Sequence, residues 1–312
     1  MWLLLKYTLL YAAVLTLVAM GGMFSERSGV INIALEGIMV IGGLMGVVAI
    51  NLLNAWGVPA FLGVIVAVLA SAVAGLLYSS LLAFSAINLK ADQTIGGTAL
   101  NLLATALAMV IAKRINGSDS PKIVYSTNSN KIFNSANFSF QVGPLTLNWF
   151  LLITVIALVA AWFILYRSRF GMRLMACGEH PQAADSVGIN VYKMRWAGVL
   201  MSGALGGICY ILAGVSEWRF ETGVSGFGFL ALAVMIFGQW KPTRIALAAL
   251  LFGLFRALSN VYAGFEFLKN MNIPSPVYNM MPYIISLVVL AFTSKKSRAP
   301  KAEGIPYDKG QR

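Results

Sequence analysis

Eight long apolar runs, separated by short polar stretches, follow one another along the 312 residues, at approximately 3–23, 31–53, 58–84, 93–112, 147–166, 196–215, 245–263 and 279–294. Roughly 20 apolar residues, rising about 1.5 Å each, cross a hydrocarbon core about 30 Å thick, so each run has the length of a transmembrane helix. A ninth run, 227–240, is shorter and bounded by glycine (GFGFLALAVMIFGQW, from Gly226), a length suited to a re-entrant or tilted helix. The pattern predicts an all-α, polytopic transmembrane helix bundle of about nine segments (8–10), with one membrane domain over residues 1–294. The remainder, 295–312, is polar, proline-containing and basic, and is expected to be disordered and held near anionic headgroups. The first run leads directly into another with no small-residue cleavage site between them, so it reads as a span rather than a removed signal.

Composition sharpens this picture. Apolar residues make up 59% of the chain and charged residues 11%, against about a quarter charged in a soluble domain, which excludes a water-soluble globule. A net charge of +12 raises the question of nucleic acid. The cations are scattered among loops, with no basic face or nucleic-acid motif, so they report topology instead. If the loop 168–192 is cytoplasmic, alternation places 24–30, 85–92, 241–244 and the tail on the same side; these segments and their flanks hold fifteen of the 23 cations. The amino terminus is then expected outside and the carboxyl terminus inside, provided the ninth run crosses. On the outer side, 114–146 is rich in Asn and Ser and suits a solvated cap, a hairpin or a plain linker. Cys177 lies in a polar loop and Cys209 in an apolar run, which implies no disulfide framework. His180, the only histidine, reads as a solvated loop side chain.

Three polar groupings could carry chemistry. The stretch 168–192 gathers Arg169, Arg173, Glu179, His180 and Asp185, with Lys193 just beyond, and has the character of a docking handle for a soluble partner. FSERSGVINIALEGIMVIGG, 24–43, sets Glu26, Arg27, Asn32 and Glu36 within or beside apolar sequence, where ionisable groups are costly and mark pathways. Asn32 and Glu36 are four apart and would share one helix face; the bland alternative is that they tie helices together. The third grouping is Asp92, Gln93, Thr94, Gly97 and Asn101, in which Gln93, Gly97 and Asn101 recur every four residues as a polar or bare stripe. Such a stripe suits either a cavity wall for a hydrogen-bonding solute or an interhelical contact. Arg256 inside a run is expected to snorkel to the outer interface. The chain has no GxxxxGK followed by Ser or Thr, no HExxH, no CxxC and no GxSxG, so no recognisable motif for ATP hydrolysis, metal binding or acyl-enzyme chemistry is present.

CGEHPQAADSVGINVYKMR, 177–195, resembles the cytoplasmic coupling segment of the membrane subunits of ATP-binding-cassette importers in the branched-chain amino acid, simple sugar and nucleoside permease family. The matching positions are Gly178, Glu179, Ala183, Ala184, Gly188, Ile189 and Asn190. FSERSGVINIALEGIMVIGG and DQTIGGTALNLLA resemble the nucleoside and simple-sugar versions, and the likeness runs from the first span to residue 294. The resemblance implies about ten helices, here nine because a leading span of ribose-type relatives is missing. It implies a multi-pass plasma-membrane transport subunit, not an enzyme, with no cofactor of its own. Partners would be a cytoplasmic ATPase supplying ATP and Mg2+, a second permease of related but different sequence, an extracytoplasmic binding lipoprotein and the lipid bilayer, but no nucleic acid. Coupling would fall to Arg173, Gly178, Glu179, His180, Pro181, Ala183, Ala184, Asp185, Gly188, Ile189 and Asn190. The pathway for a nucleoside or sugar would fall to Asn32, Glu36, Gln93, Thr94, Gly97 and Asn101. From another class, an ion-coupled secondary transporter with Glu36 as its titrating group fits the same composition.

Overall fold

The computed structural model describes residues 2–117, 119, 139–143, 145–214, 220, 223–264, 275–293 and 298–309. A helix stands at each of the nine apolar runs: α1 (Trp2–Arg27), α2 (Leu35–Ala55), α3 (Ala60–Ala83, continued by a π turn, Phe84–Asn88), α4 (Gln93–Asn116), α5 (Phe150–Arg167), α8 (Val191–Gly214), the short α9 (Phe227–Phe237), α10 (Pro242–Val261) and α11 (Ser275–Thr293). The polar loop folds into two more, α6 (Arg169–Glu179) and α7 (Pro181–Ser186). Among the described residues, α1, α2, Phe61–Asn88, α4, α5 and α10 are long and apolar enough to cross a bilayer. At the end of the outer segment 114–146 and just beyond it, residues 139–142 and 145–148 form an antiparallel hairpin in the register Ser139↔Asn148 to Val142↔Leu145; residues 118, 120–138 and 144 lie outside the described part.

α1 is the axis of the bundle. From Leu10 to Glu26 it is buried on every side, as an all-round apolar helix must be. α2, α3 and α8 meet along a glycine seam at which the backbones touch. A Cβ on Gly75 would stand 2.3 Å from the Gly203 carbonyl oxygen, one on Gly207 2.4 Å from that of Ser71, and one on Gly42 2.4 Å from the Gly207 Cα. Lipid supplies no hydrophobic drive between helices, so close backbone packing of this kind supplies the association energy.

The second run departs from the expected single helix 31–53. α1 ends in a Schellman turn at Gly29 (φ 97), with Gly29 N–H donating to the Glu26 carbonyl and Val30 N–H to that of Ser25. α2 begins only at Leu35. Between them the chain is non-helical, and α4 side chains replace the missing helical partners. The Ile31 N–H donates to Gln93 Oε1 (2.7 Å), Asn101 Nδ2 donates to the Ile33 carbonyl (2.9 Å), and the Gly37 N–H donates to Asn101 Oδ1 (2.8 Å). Gln93 and Asn101 are eight residues apart, about 12 Å along a helix, so this elbow enters the bundle by roughly that depth. Irregular backbone is tolerated at membrane depth where protein satisfies it.

Of the tail 295–312, residues 298–309 are described, and they make specific contacts. Residues 298–309 pack across one end of the bundle: Ala302 N–H donates to the Gly178 carbonyl (2.8 Å), Arg195 donates to the Ile305 carbonyl (2.9 Å), and Lys90 pairs with Asp308 (2.7 Å). Backbone groups and a buried arginine hold it, whereas the expectation rested on its polar composition. The five segments assigned to one side of the membrane, 24–30, 85–92, 168–192, 241–244 and the tail, do gather at this end. Arg27 bonds the Trp240 carbonyl, Trp196 bonds Asn88, and Gly178 lies against Arg27.

Candidate coupling and translocation sites

The polar loop is built as a rigid two-helix corner. Ser168, in extended conformation, caps α6 through its Oγ to the Gly171 N–H (3.0 Å). Leu174, Cys177 and Gly178 turn inward, and burial pushes the Cys177 thiol up to about 11 against the opposing pull of Arg195, so it stays a neutral packing group. A Cβ on Gly178 would stand 2.3 Å from the Arg27 carbonyl oxygen, which only glycine permits. His180 breaks the helix and Pro181 opens α7 at its first turn.

The Gly188-Ile189-Asn190 triplet then has a mechanical reading. Gly188 (φ 83) and Ile189 close α7 in a second Schellman turn, with N–H groups donating to the Asp185 and Ala184 carbonyls, and Asn190 Oδ1 caps α8 at the Lys193 N–H (3.0 Å). Of the expected coupling residues, Arg173, His180, Ala183, Gly188 and Asn190 are exposed; Glu179, Asp185 and Ile189 are half-buried; and Gly178, Pro181 and Ala184 are buried as anchors. Glu179 lies 3.9 Å from Arg27. Val187 at the tip is 74% exposed, and with Gln182 and Met172 it completes the free face. Sequence reasoning missed these three because they are chemically plain.

A second assembly lies deep in the bundle. Glu36, in the first turn of α2, accepts from the Gly226 N–H at Oε1 (2.8 Å) and from the Gly228 N–H at Oε2 (2.6 Å), capping α9. One carboxylate thus sits at the amino ends of two helices, the place that favours an anion. Tyr283 of α11 donates to the Ser225 carbonyl (2.8 Å), and the Arg256 guanidinium lies 5.0 Å from the Phe227 ring centre. At the other end of α9, Gln239 and Trp240 take left-handed backbone (φ 51 and 53), and Trp240 Nε1 donates to the buried Glu26 carboxyl (2.5 Å). α9 is therefore a strut held by Glu26 below and Glu36 above, the two acids that flank the elbow.

Asn32 and Glu36 do not share a helix face, because Asn32 lies in the elbow before α2 begins; its Nδ2 donates to Ser202 of α8 (2.7 Å). Gln93, Gly97 and Asn101 do share the predicted stripe, and it is covered by residues 31–37, with Gly97 seated against Ile33. Thr94 is exposed in the first turn of α4, its N–H capped by Asp92 (2.8 Å). Asn32 Oδ1 and Gln93 Nε2 are buried without a hydrogen-bond partner. Among the described residues no cluster of three or more His, Cys, Asp or Glu side chains could hold a metal.

The match to known proteins covers almost the whole chain. The family model described as branched-chain amino acid transport system / permease component matches residues 4–292. The chain is 40% identical to the nucleoside ABC transporter permease protein NupC of Lactococcus lactis subsp. cremoris (97% of this chain, 96% of the relative). It is also 40% identical to the guanosine ABC transporter permease protein NupQ of Bacillus subtilis (98% and 96%). It is 25% identical to a second Bacillus subtilis protein, the guanosine ABC transporter permease protein NupP (74% and 66%). With its polytopic helical fold and its length matched end to end, the chain belongs to this permease family and is a multi-pass membrane permease component of an ABC transporter, a transport subunit and not an enzyme.

Proposed function

We propose that this chain forms one half of the solute pathway of an ABC importer for nucleosides, and that the exposed face of α6–α7 receives the partner ATPase. The observation that carries the coupling assignment is the corner itself: it offers His180, Ala183, Val187 and Gly188 to solvent while Gly178 and Ala184 bind it to the bundle. The nucleoside assignment is supported by the two relatives at 40% identity, whose names specify nucleoside and guanosine. That two different Bacillus subtilis relatives both bear the name guanosine ABC transporter permease supports a second, different permease chain as partner. The remaining partners are an extracytoplasmic binding lipoprotein and an ATPase that binds ATP and Mg2+. The end bearing the corner and the tail faces the cytoplasm, with the amino terminus outside, in the plasma membrane.

In this reading, ATP-driven closure of the ATPases pushes on α7. Gly178 passes the push to Arg27 and the elbow, and Glu26 and Glu36 carry it to the two ends of α9, which reorients as a body. Asn32 and Gln93 hold free polar atoms for solute hydroxyl and amide groups, while Glu36, Thr94, Gly97 and Asn101 shape the backbone beside them. An ion-coupled carrier is disfavoured because both Glu36 oxygens are occupied by the α9 cap. In cells lacking this gene, uptake of labelled guanosine and other nucleosides is expected to fall to background while ribose and galactose uptake is unchanged. Lost sugar uptake with intact nucleoside uptake would overturn the assignment.

A further inference from the structure

The carboxyl-terminal segment touches, within a few residues, every part that the coupling corner must move. Ala302 N–H donates to the carbonyl of Gly178 at the end of α6 (2.8 Å), and Gly304 N–H donates to the carbonyl of Gly29 in the elbow (3.3 Å). The Ile305 carbonyl accepts from Arg195 of α8 (2.9 Å). That arginine is 1% exposed; its Nη1 makes this bond while Nε and Nη2 are buried without a hydrogen-bond partner, so the tail carbonyl satisfies part of a costly buried cation. The Glu303 carboxyl bonds that of Glu26, which also accepts from Trp240 at the foot of α9 and from the Asn32 backbone, and burial raises the Glu303 carboxyl above its ordinary range. Tyr307 packs edge-on against Tyr192 and bonds Asp185 of α7, and Asp308 pairs with Lys90 after the π turn.

We propose that residues 299–308 are a transmission strap: they bind the α6–α7 corner, the elbow and the foot of α9 into one moving body, so that a push on the corner displaces α9 instead of being absorbed by the loops between them. The sequence of contacts argues for this. Apart from the strap, the corner meets the end of α1 and the start of the elbow through the Gly178 seat, and through the long Arg27–Glu179 pair, 3.9 Å and part-exposed, a kind of ion pair that contributes little. With it, the corner and the elbow are bonded to successive residues of a single short segment.

The inference rests on the coupling assignment above, and the test separates the two. The full importer is reconstituted in liposomes with both permeases, ATPase and binding lipoprotein, and guanosine transported per ATP hydrolysed is measured beside ATPase co-purification. Gly304→Val places a Cβ 2.8 Å from Ile31 in a backbone with φ 76. The expected result is retained ATPase binding and basal hydrolysis, with transport per ATP reduced by about tenfold or more. Asp308→Lys, at the exposed pair, is expected to lower the ratio about twofold to threefold and to be rescued by Lys90→Asp in the same chain. A contact that only stabilises the fold would lower the amount of complex and leave the ratio unchanged. An unchanged ratio in Gly304→Val and in Asp308→Lys overturns the strap; should Gly304→Val fail to accumulate, the exposed pair alone decides. Ala183→Arg on the docking face should abolish ATPase co-purification, and its retention would overturn the coupling assignment while leaving the strap measurement to stand on its own.

Discussion

Glu36→Leu abolishes transport and destabilises the protein, the largest effect expected of any single side chain in the bundle. The carboxylate satisfies the Gly226 and Gly228 N–H groups at 2.8 and 2.6 Å. With leucine in its place both donors are stranded in a low-dielectric interior, at about 1–3 kcal/mol each, and no bilayer water is at hand to replace the acceptor. α9 also loses the anion at its amino end. The upper end of the strut then loses its bond to α2, so the elbow can move without it. Glu36→Gln retains one acceptor oxygen and sets an amide N–H against the other donor, so it should fall between wild type and leucine in both uptake and thermal unfolding temperature of the purified protein. If Glu36→Leu transports normally, the cap has no mechanical role.

Gly75→Leu prevents the bundle from assembling. The Cβ it introduces would stand 2.3 Å from the Gly203 carbonyl oxygen and 2.8 Å from the Gly207 Cα. Both obstacles are backbone, so no rotamer relieves them, and separating α3 from α8 opens the seam that α2 shares through Gly42. Overpacking of a yielding core costs about 1–3 kcal/mol; here the loss extends along the whole α3–α8 contact, and the variant is expected not to accumulate in membranes. Gly96→Ala is the control. Its Cβ meets only Ser85 Oγ, at 3.4 Å, and helix propensity favours alanine by about 1 kcal/mol, so accumulation should equal or exceed wild type. Normal accumulation of Gly75→Leu would show the seam to be looser than its geometry.

The apolar runs were enough to locate a helix at each of nine places, six of them long and apolar enough to cross a bilayer among the described residues, because length and hydropathy are local properties. The Gly188-Ile189-Asn190 signature was also legible, since a helix stop followed by a helix start is written in adjacent residues. What escaped is non-local. Ile31, Ile33 and Ala34 are apolar and read as helix, yet the chain is unwound there because Gln93 and Asn101 of α4 bind its backbone. Glu36 read as a cavity acid because its true partners, Gly226 and Gly228, lie 190 and 192 residues away. The tail read as disordered from its composition, whereas its residues 302–305 bond the backbone of Gly178 and Gly29 and the buried Arg195 of α8. Glu26, named only as a costly charge, proves to be the meeting point of α1, the elbow, α9 and the tail.

The α6–α7 corner is the surface on which we propose that the ATPase acts. The most direct test is a photo-crosslinking amino acid at position 187, the 74% exposed tip of the corner, in the intact importer in membrane vesicles. The account predicts a crosslink to the ATPase subunit whose yield changes when ATP and Mg2+ are added. A crosslink to the extracytoplasmic binding lipoprotein, or labelling of this position only from the outer face, would contradict it.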